Sequence, residues 1–162
     1  MADTSNLGKK AEGKIKEWLD RPKDGYSFDR IKDQMTGFYG SSNICDFTCF
    51  KSPYMYYIES KATWEDRFDF NMLTQTQHDG LLAKSNISNV FGIVIVLFAS
   101  YKRAFIFDIR HIAKLESEGI KSLNIKKYKL SRVGNSSLII QEICLFVPKL
   151  LYDIRLEIIN LR

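Results

Sequence analysis

The sequence has few of the residues that build disulfide frameworks and zinc sites. It contains three cysteines, Cys45, Cys49 and Cys144, which is an odd number, and it has no CxxC pair. Its two histidines, His78 and His111, lie far apart in the chain. The cysteine count favours a reducing compartment over a disulfide-stabilised fold, and the spacing of the potential ligands argues against a zinc site.

Long apolar runs are also absent. The longest, VFGIVIVLFA at residues 90–99, is about half as long as a helix that spans a bilayer. The N-terminal stretch MADTSNLGKKAEGKIKEW lacks the apolar core of a signal peptide. We therefore expect a soluble, cytoplasmic protein without a membrane partner.

The composition is that of an ordered globular protein. Hydrophobic residues make up 45% and aromatic residues 13% of the 162 positions, so we expect one domain spanning residues 1–162. The 24 Lys and Arg residues outnumber the 19 Asp and Glu residues, giving a formal net charge of +5. This charge balance favours a polyanionic partner such as DNA.

The spacing of apolar residues predicts an α/β domain. Strands are expected at residues 26–30, 44–50, 54–62, 91–98 and 103–109. Helices are expected at residues 5–19, 73–84 and about 110–118, and Thr74 is a candidate cap for the second of them. Because the strand at 91–98 is apolar throughout, we expect it to be buried on both faces.

Two segments are expected to be irregular. Residues 31–43 contain two glycines and many polar residues, which predicts a loop or a short stalk. Residues 121–137 are expected to form a basic loop. Five of its residues are candidate contacts to a phosphate backbone, a solvated loop being the alternative: Lys121, Lys126, Lys127, Lys129 and Arg132.

The strands predicted at 44–50 and 54–62 bring three charged residues together. Side chains alternate along a strand, so Glu59 and Lys61 share a face. If the turn centres on Ser52-Pro53, Asp46 lies opposite Glu59; if it centres on Pro53-Tyr54, Asp46 lies opposite Lys61. Both registers place the three side chains on one face, whereas an odd number of loop residues would turn Asp46 away.

Two carboxylates held so close together repel each other. A divalent cation converts that repulsion into binding, and hard oxygen ligands suit Mg²⁺ or Mn²⁺. A bound cation would activate water and offset the charge on a phosphate, while Lys61 would orient that water or stabilise the reacting phosphate. The alternative interpretation is an ordinary surface salt bridge.

The same residues resemble a nuclease signature. Asp46, followed after twelve residues by Glu59-Ser60-Lys61, resembles the D…ExK motif of the PD-(D/E)xK nucleases. Within that superfamily the chain is similar to the RecU family of Holliday-junction resolvases. ESKAT at 59–63 resembles the family's EAKET, and RFDFNMLTQTQHDGLLA at 67–83 resembles its phenylalanine-led stretch and Gln-bearing helix. With VPKLLYDI at 147–154, the resemblance covers about residues 40–155.

This resemblance implies a single-domain restriction-endonuclease-like α/β fold with a central mixed β-sheet flanked by helices. It implies a Mg²⁺-dependent endonuclease that resolves four-way DNA junctions. Two symmetric cuts require two active sites, so we expect a homodimer. The implied catalytic residues are Asp46, Glu59, Lys61 and Gln77, and the implied metal-site residues are Asp46, Glu59, Ser60, Gln77 and Glu12.

The sequence also departs from the family. Cys45 stands where the signature has proline, and Ile44 stands where the family has a threonine metal ligand. Residues 31–43 are short for the stalk that enters the junction. Glu12 is equally readable as a solvated glutamate, and His78 is a less favoured candidate for a general base. Two alternative functions remain: a related nuclease acting on duplex or flap DNA, and a DNA-binding protein without catalytic activity.

Overall fold

The computed structural model describes residues 5–20, 27–31, 43–101 and 103–126. Its helices are α1 (Ser5–Leu19), α2 (Gln75–Ser85) and α3 (Ile109–Ser117). Its strands are β1 (Ser27–Arg30), β2 (Phe47–Lys51), β3 (Tyr54–Thr63), β4 (Arg67–Asp69), β5 (Val90–Phe98), β6 (Arg103–Asp108) and β7 (Ser122–Asn124). Short 3₁₀ helices occupy Phe70–Met72 and Ala99–Tyr101.

The main sheet is mixed and has the strand order β1-β2-β3-β5-β6. Strands β3 and β5 are parallel, and the other neighbouring strands are antiparallel. The connection from β3 to β5 passes through α2, because a parallel pair needs a crossover of this kind. Strands β4 and β7 form a separate antiparallel pair.

Helices cover both faces of the main sheet, and β5 shows how. On one face of β5, Phe91, Ile93 and Ile95 belong to the same buried cluster as Ile15 of α1. On the other face, Val94, Val96 and Phe98 pack in a cluster with residues of α2 and α3. The expectation of an α/β domain with a helix-flanked mixed sheet is confirmed, as is the burial of β5 on both faces.

The predicted helices and long strands are present, with differences at their edges. The strand expected from residue 44 begins at Phe47. The β4–β7 pair was not expected, and it makes 122–124 a strand within the segment predicted to be a basic loop. Residues 127–137, and all but Ile31 and Asn43 of the segment 31–43, lie outside the described residues. None of the described helices is both long enough and apolar enough to cross a membrane.

Helix α2 lies very close to β5 at Gly92. A Cβ at this position would lie 2.6 Å from the carbonyl oxygen of Leu81 and 2.8 Å from the hydroxyl of Ser85. The Gly92 N–H donates a hydrogen bond of 2.7 Å to that hydroxyl. Only glycine permits this approach, so Gly92 determines how near the sheet α2 can lie.

We expect Gly92→Ala to lower the free energy of unfolding by about 1–3 kcal/mol, because the new methyl group would overpack the helix–sheet contact. Gly13→Ala is the matched control. Gly13 lies in α1 with no atom near its would-be Cβ, so alanine there should stabilise by up to about 1 kcal/mol. Urea unfolding of both variants measures the difference, and a Gly92→Ala protein as stable as wild type would contradict the close approach.

Candidate active site

The β2–β3 hairpin brings the two predicted carboxylates near each other. Lys51 pairs with Tyr54, so the turn consists of Ser52-Pro53. This is the first of the two turns considered from the sequence. The regular pairing ends at Phe47, opposite Ile58, and the Asp46 N–H also bonds to Ile58, so the ladder does not continue to Asp46. The charge of Asp46 nevertheless raises the pKa of Glu59, which shows that the two carboxylates lie within electrostatic reach of each other.

Asp46 is held by main-chain groups on both sides. Its N–H donates to the carbonyl oxygen of Ile58 at 3.0 Å, and its carbonyl oxygen accepts from the N–H of Ile31 at 2.8 Å. Its Oδ2 accepts a hydrogen bond of 2.8 Å from the Ser60 N–H. Since Ser60 alternates with Glu59 and Lys61, its hydroxyl lies on the other face of β3, and only its main chain reaches the cluster.

Glu59, Lys61 and Gln77 form a closed triangle of polar contacts. The Lys61 Nζ lies 2.8 Å from Oε1 of Glu59. Gln77 donates from Nε2 to the same Glu59 oxygen at 2.7 Å, and its Oε1 accepts from Lys61 at 3.0 Å. The structure thus brings Asp46, Glu59, Lys61 and Gln77 into one cluster.

The start of α2 sets the orientation of Gln77. Thr74 caps the helix by accepting from the Gln77 N–H at 3.2 Å. In return, the Gln77 Oε1 accepts from the Thr74 N–H at 3.0 Å, which completes a capping box. With two donors converging on Oε1, the amide nitrogen must face Glu59.

Glu59 is a buried acid whose charged form is disfavoured. Its side chain is 2% exposed, and burial, followed by the charge of Asp46, raises its pKa to about 7, while Lys61 acts in the opposite direction. Its second oxygen, Oε2, is buried without a hydrogen-bond partner among the residues that the structure describes. Buried carboxylate oxygens are normally satisfied, so this site lacks a positive or donating group.

The cluster fits a hard divalent cation. In the described part of the chain, no group of three or more His, Cys, Asp or Glu side chains could hold a metal. The ligands at this site would be the two carboxylates of Asp46 and Glu59. Mg²⁺ is commonly held by one or two carboxylates and keeps several waters. The unsatisfied Glu59 oxygen, with the carboxylate of Asp46 within electrostatic reach, matches that pattern.

Glu12 lies at the border of this cluster. Its negative charge contributes to raising the pKa of Glu59, so it lies within electrostatic reach. However, its carboxylate forms an ion pair of 2.5 Å with Arg30. Arg30 was not singled out from the sequence, because a contact between residues so far apart in the chain leaves no local pattern.

Ile44, the departure from the family's threonine, packs against α2. The space at Gly80 of α2 is filled by the Ile44 side chain, which leaves no room for a Cβ. Its apolar side chain offers no metal ligand. In this chain the position serves packing between the hairpin and the helix.

His78 faces away from the cluster. Its Nδ1 lies 2.9 Å from Asp79, and its Nε2 lies 2.9 Å from Glu116 of α3. With Lys121 it lines a separate cleft of about 760 Å³. The His78 imidazole is therefore not placed to act as a general base at the cluster of Asp46, Glu59 and Lys61.

The candidate DNA-contacting residues are only partly described. Lys121 is exposed, and Lys126 forms an ion pair of 2.9 Å with Asp66. That contact raises the pKa of Lys126. Lys127, Lys129 and Arg132 lie outside the described residues. A role of this segment in binding DNA stays a prediction.

No protein-family model matches the chain, and no curated protein matches it. Among solved structures, the chain is similar to that of Hjc from Archaeoglobus fulgidus, a Holliday junction resolvase from an archaeal hyperthermophile. The sequences are 16% identical, the TM-score is 0.46, and the match covers 64% of this chain and 78% of that chain. This likeness is too distant to assign an activity.

The raised pKa of Glu59 predicts how stability changes with pH. Its pKa is about 7 in the folded chain against an ordinary value of 4.5. Between these values the folded state holds a proton that the unfolded state has lost. Stability should therefore fall as pH rises from about 4.5 to 7, by about 3 kcal/mol.

Urea unfolding at pH 5 and pH 8 tests this expectation. Glu59→Gln should lose much of the pH dependence and exceed wild type in stability at pH 8. Glu65→Gln, which removes an exposed carboxylate, controls for the loss of one negative charge. Parallel pH curves for wild type and Glu59→Gln would contradict the expectation.

Proposed function

We propose that this chain is a Mg²⁺-dependent DNA endonuclease of the PD-(D/E)xK type that resolves four-way junctions. The observation that carries the proposal is the cluster of Asp46, Glu59, Lys61 and Gln77 on one face of the hairpin and the adjoining helix. Its geometry has adjacent carboxylates and an ammonium in the order of the D…ExK signature. The preference for four-way junctions rests on the resemblance of residues 40–155 to the RecU family.

Asp46 and the unsatisfied oxygen of Glu59 would hold the ion, with water completing its shell. Glu12 would add negative charge nearby, and Ser60 would contribute through its main chain. A bound Mg²⁺ would supply charge neutralisation at the phosphate and lower the pKa of a coordinated water. Mn²⁺ would suit the same oxygen ligands.

Lys61 is held in place before DNA arrives. Its ammonium contacts both Glu59 and Gln77, so little side-chain freedom remains to be lost during the reaction. A preorganised positive charge stabilises negative charge that develops on a phosphate. Gln77 acts as a positioning residue, since it contacts both Lys61 and Glu59 and is itself fixed by the helix cap.

The proposal also specifies the assembly. Resolving a junction requires symmetric cuts in two of its strands. A two-fold dimer with two identical active sites provides them. The net charge of +5 is consistent with a DNA partner.

Cleavage of a synthetic four-way junction and of a sequence-matched duplex, each with Mg²⁺ or EDTA, tests the function. We expect Mg²⁺-dependent cleavage of the junction in preference to the duplex. Asp46→Asn should abolish cleavage while DNA binding persists, because a neutral amide is a poor ligand for the cation. Asp20→Asn, an exposed change at the end of α1, is the matched control.

The outcomes separate the alternatives. Equal cleavage of junction and duplex would assign the chain to another nuclease of the superfamily. Binding without cleavage in Mg²⁺ would support a DNA-binding protein whose acidic cluster is structural. An Asp46→Asn variant that cuts at the wild-type rate would contradict the proposed metal site.

Lys61→Ala separates a catalytic cluster from a structural one. Loss of an electrostatic stabiliser should lower the single-turnover rate by about 10²–10³-fold while junction affinity, measured in Ca²⁺ to prevent cleavage, stays unchanged. Lys114→Ala, on the exposed face of α3, should cut normally. If the Lys61→Ala rate matches that of the Lys114→Ala control, Lys61 has no role in the reaction.

A further inference from the structure

Two exposed aromatic residues lie at one end of the main sheet. Trp64 follows β3 and is 43% exposed, and Tyr101, at the end of the 3₁₀ helix after β5, is 37% exposed. The two strands end side by side, because Thr63 pairs with Phe98. We call the pair Trp64 and Tyr101 the aromatic rim.

Hydrogen bonds fix the main chain on both sides of the rim. The Ser100 hydroxyl donates to the carbonyl oxygen of Trp64 at 2.6 Å, which ties the end of β3 to the segment that carries Tyr101. The Ile125 N–H donates to the carbonyl oxygen of Asp66 at 2.8 Å. This bond holds the residues that follow β7 next to the segment that follows Trp64. The exposed rings therefore stand on an anchored backbone.

A positive charge accompanies the rim. The Lys126 ammonium lies 2.9 Å from Asp66, and it is near enough to the Tyr101 side chain for that side chain to contribute to the rise in the pKa of Lys126. The side chain remains 65% exposed. An exposed ammonium beside exposed rings is the combination with which proteins bind a nucleic-acid strand, through its phosphates and its base faces.

The rim lies close to the candidate active site along β3. Trp64 is three residues beyond Lys61, which corresponds to about 10 Å at the usual rise of a strand. Successive nucleotides of one DNA strand advance by about 3.4 Å along the helix axis. Because Trp64 directly follows Thr63, the last residue of β3, a DNA strand that passes from the cluster around this end of the sheet would reach the rim about three nucleotides from the cut.

We propose that the aromatic rim stacks an unpaired DNA base next to the cleaved bond, so that the substrate class is DNA with unpaired bases at a branch point. This inference rests on the proposed nuclease function and deepens it. In a continuous duplex the base faces are covered by their neighbours, and an aromatic side chain has no face to stack on. Opened bases at a branch expose those faces, so stacking would favour branched DNA over duplex.

The test measures binding and not cleavage. Wild type and variants are titrated in Ca²⁺ with a continuous DNA duplex and with the same duplex carrying a short unpaired bulge. Trp64→Ala should weaken binding of the bulged DNA by about 5- to 100-fold and leave duplex binding unchanged. Trp64→Phe, which keeps a ring, should retain most of the affinity.

Ile87→Ala is the matched control. Ile87 is the most exposed large apolar side chain among the described residues at 55%, and it precedes β5, at the opposite end of that strand. The variant should bind both DNAs like wild type. As a direct readout, Trp18→Phe leaves Trp64 as the remaining tryptophan of the two, and bulged DNA should quench its emission more than duplex does.

Three results would overturn the inference. The first is unchanged binding of bulged DNA by Trp64→Ala, and the second is an equal loss of affinity for both DNAs. The third is loss of self-association of Trp64→Ala in sedimentation while its DNA binding stays intact, which would make the rim a protein contact. Failure of the nuclease proposal is distinguishable, because the binding preference and the quenching do not depend on cleavage. Normal cleavage with unchanged Trp64→Ala binding would remove the stacking inference alone.

Discussion

The buried carboxylate of Glu59 is the constraint on which the rest of the structure depends. Burying an acid is costly unless it is paired, and here one oxygen receives both Lys61 and Gln77 while the other receives no described partner. Three elements must meet for this arrangement: β3 supplies the acid and the lysine, β2 begins next to Asp46, and α2 supplies the amide. The geometry of the site therefore depends on the register of the sheet and on the position of α2 against it.

Stability alone does not favour a carboxylate at this position. A neutral residue would fit the interior better at neutral pH, since burial and the neighbouring Asp46 both disfavour the charged form of Glu59. Strained ionisable groups of this kind are concentrated at functional sites. Their retention is understandable if the free energy lost in folding is recovered when a cation arrives.

Local patterns in the sequence predicted much of the site. Alternation along the hairpin predicted Asp46 and Glu59 on one face, and Thr74 was the predicted cap of α2. Gln77 was assigned to the cluster only through the resemblance to the RecU family. The Glu12–Arg30 ion pair and the β4–β7 pairing were not predicted, because both join distant segments and neither strand is long enough to show a period. The close contact between α2 and Gly92 could not be predicted either, since an isolated glycine in a strand does not indicate which element packs against it.

The capping box of α2 has a consequence for dynamics. One oxygen atom, Oε1 of Gln77, accepts both the Thr74 N–H that closes the first turn of the helix and the Lys61 ammonium of the cluster. Helix ends are the places where helices fray most readily. Each opening of that first turn would free Gln77 and release Lys61 and Glu59 from their common partner. The amide hydrogen-exchange rate of a single helical turn would therefore report how often the cluster is assembled.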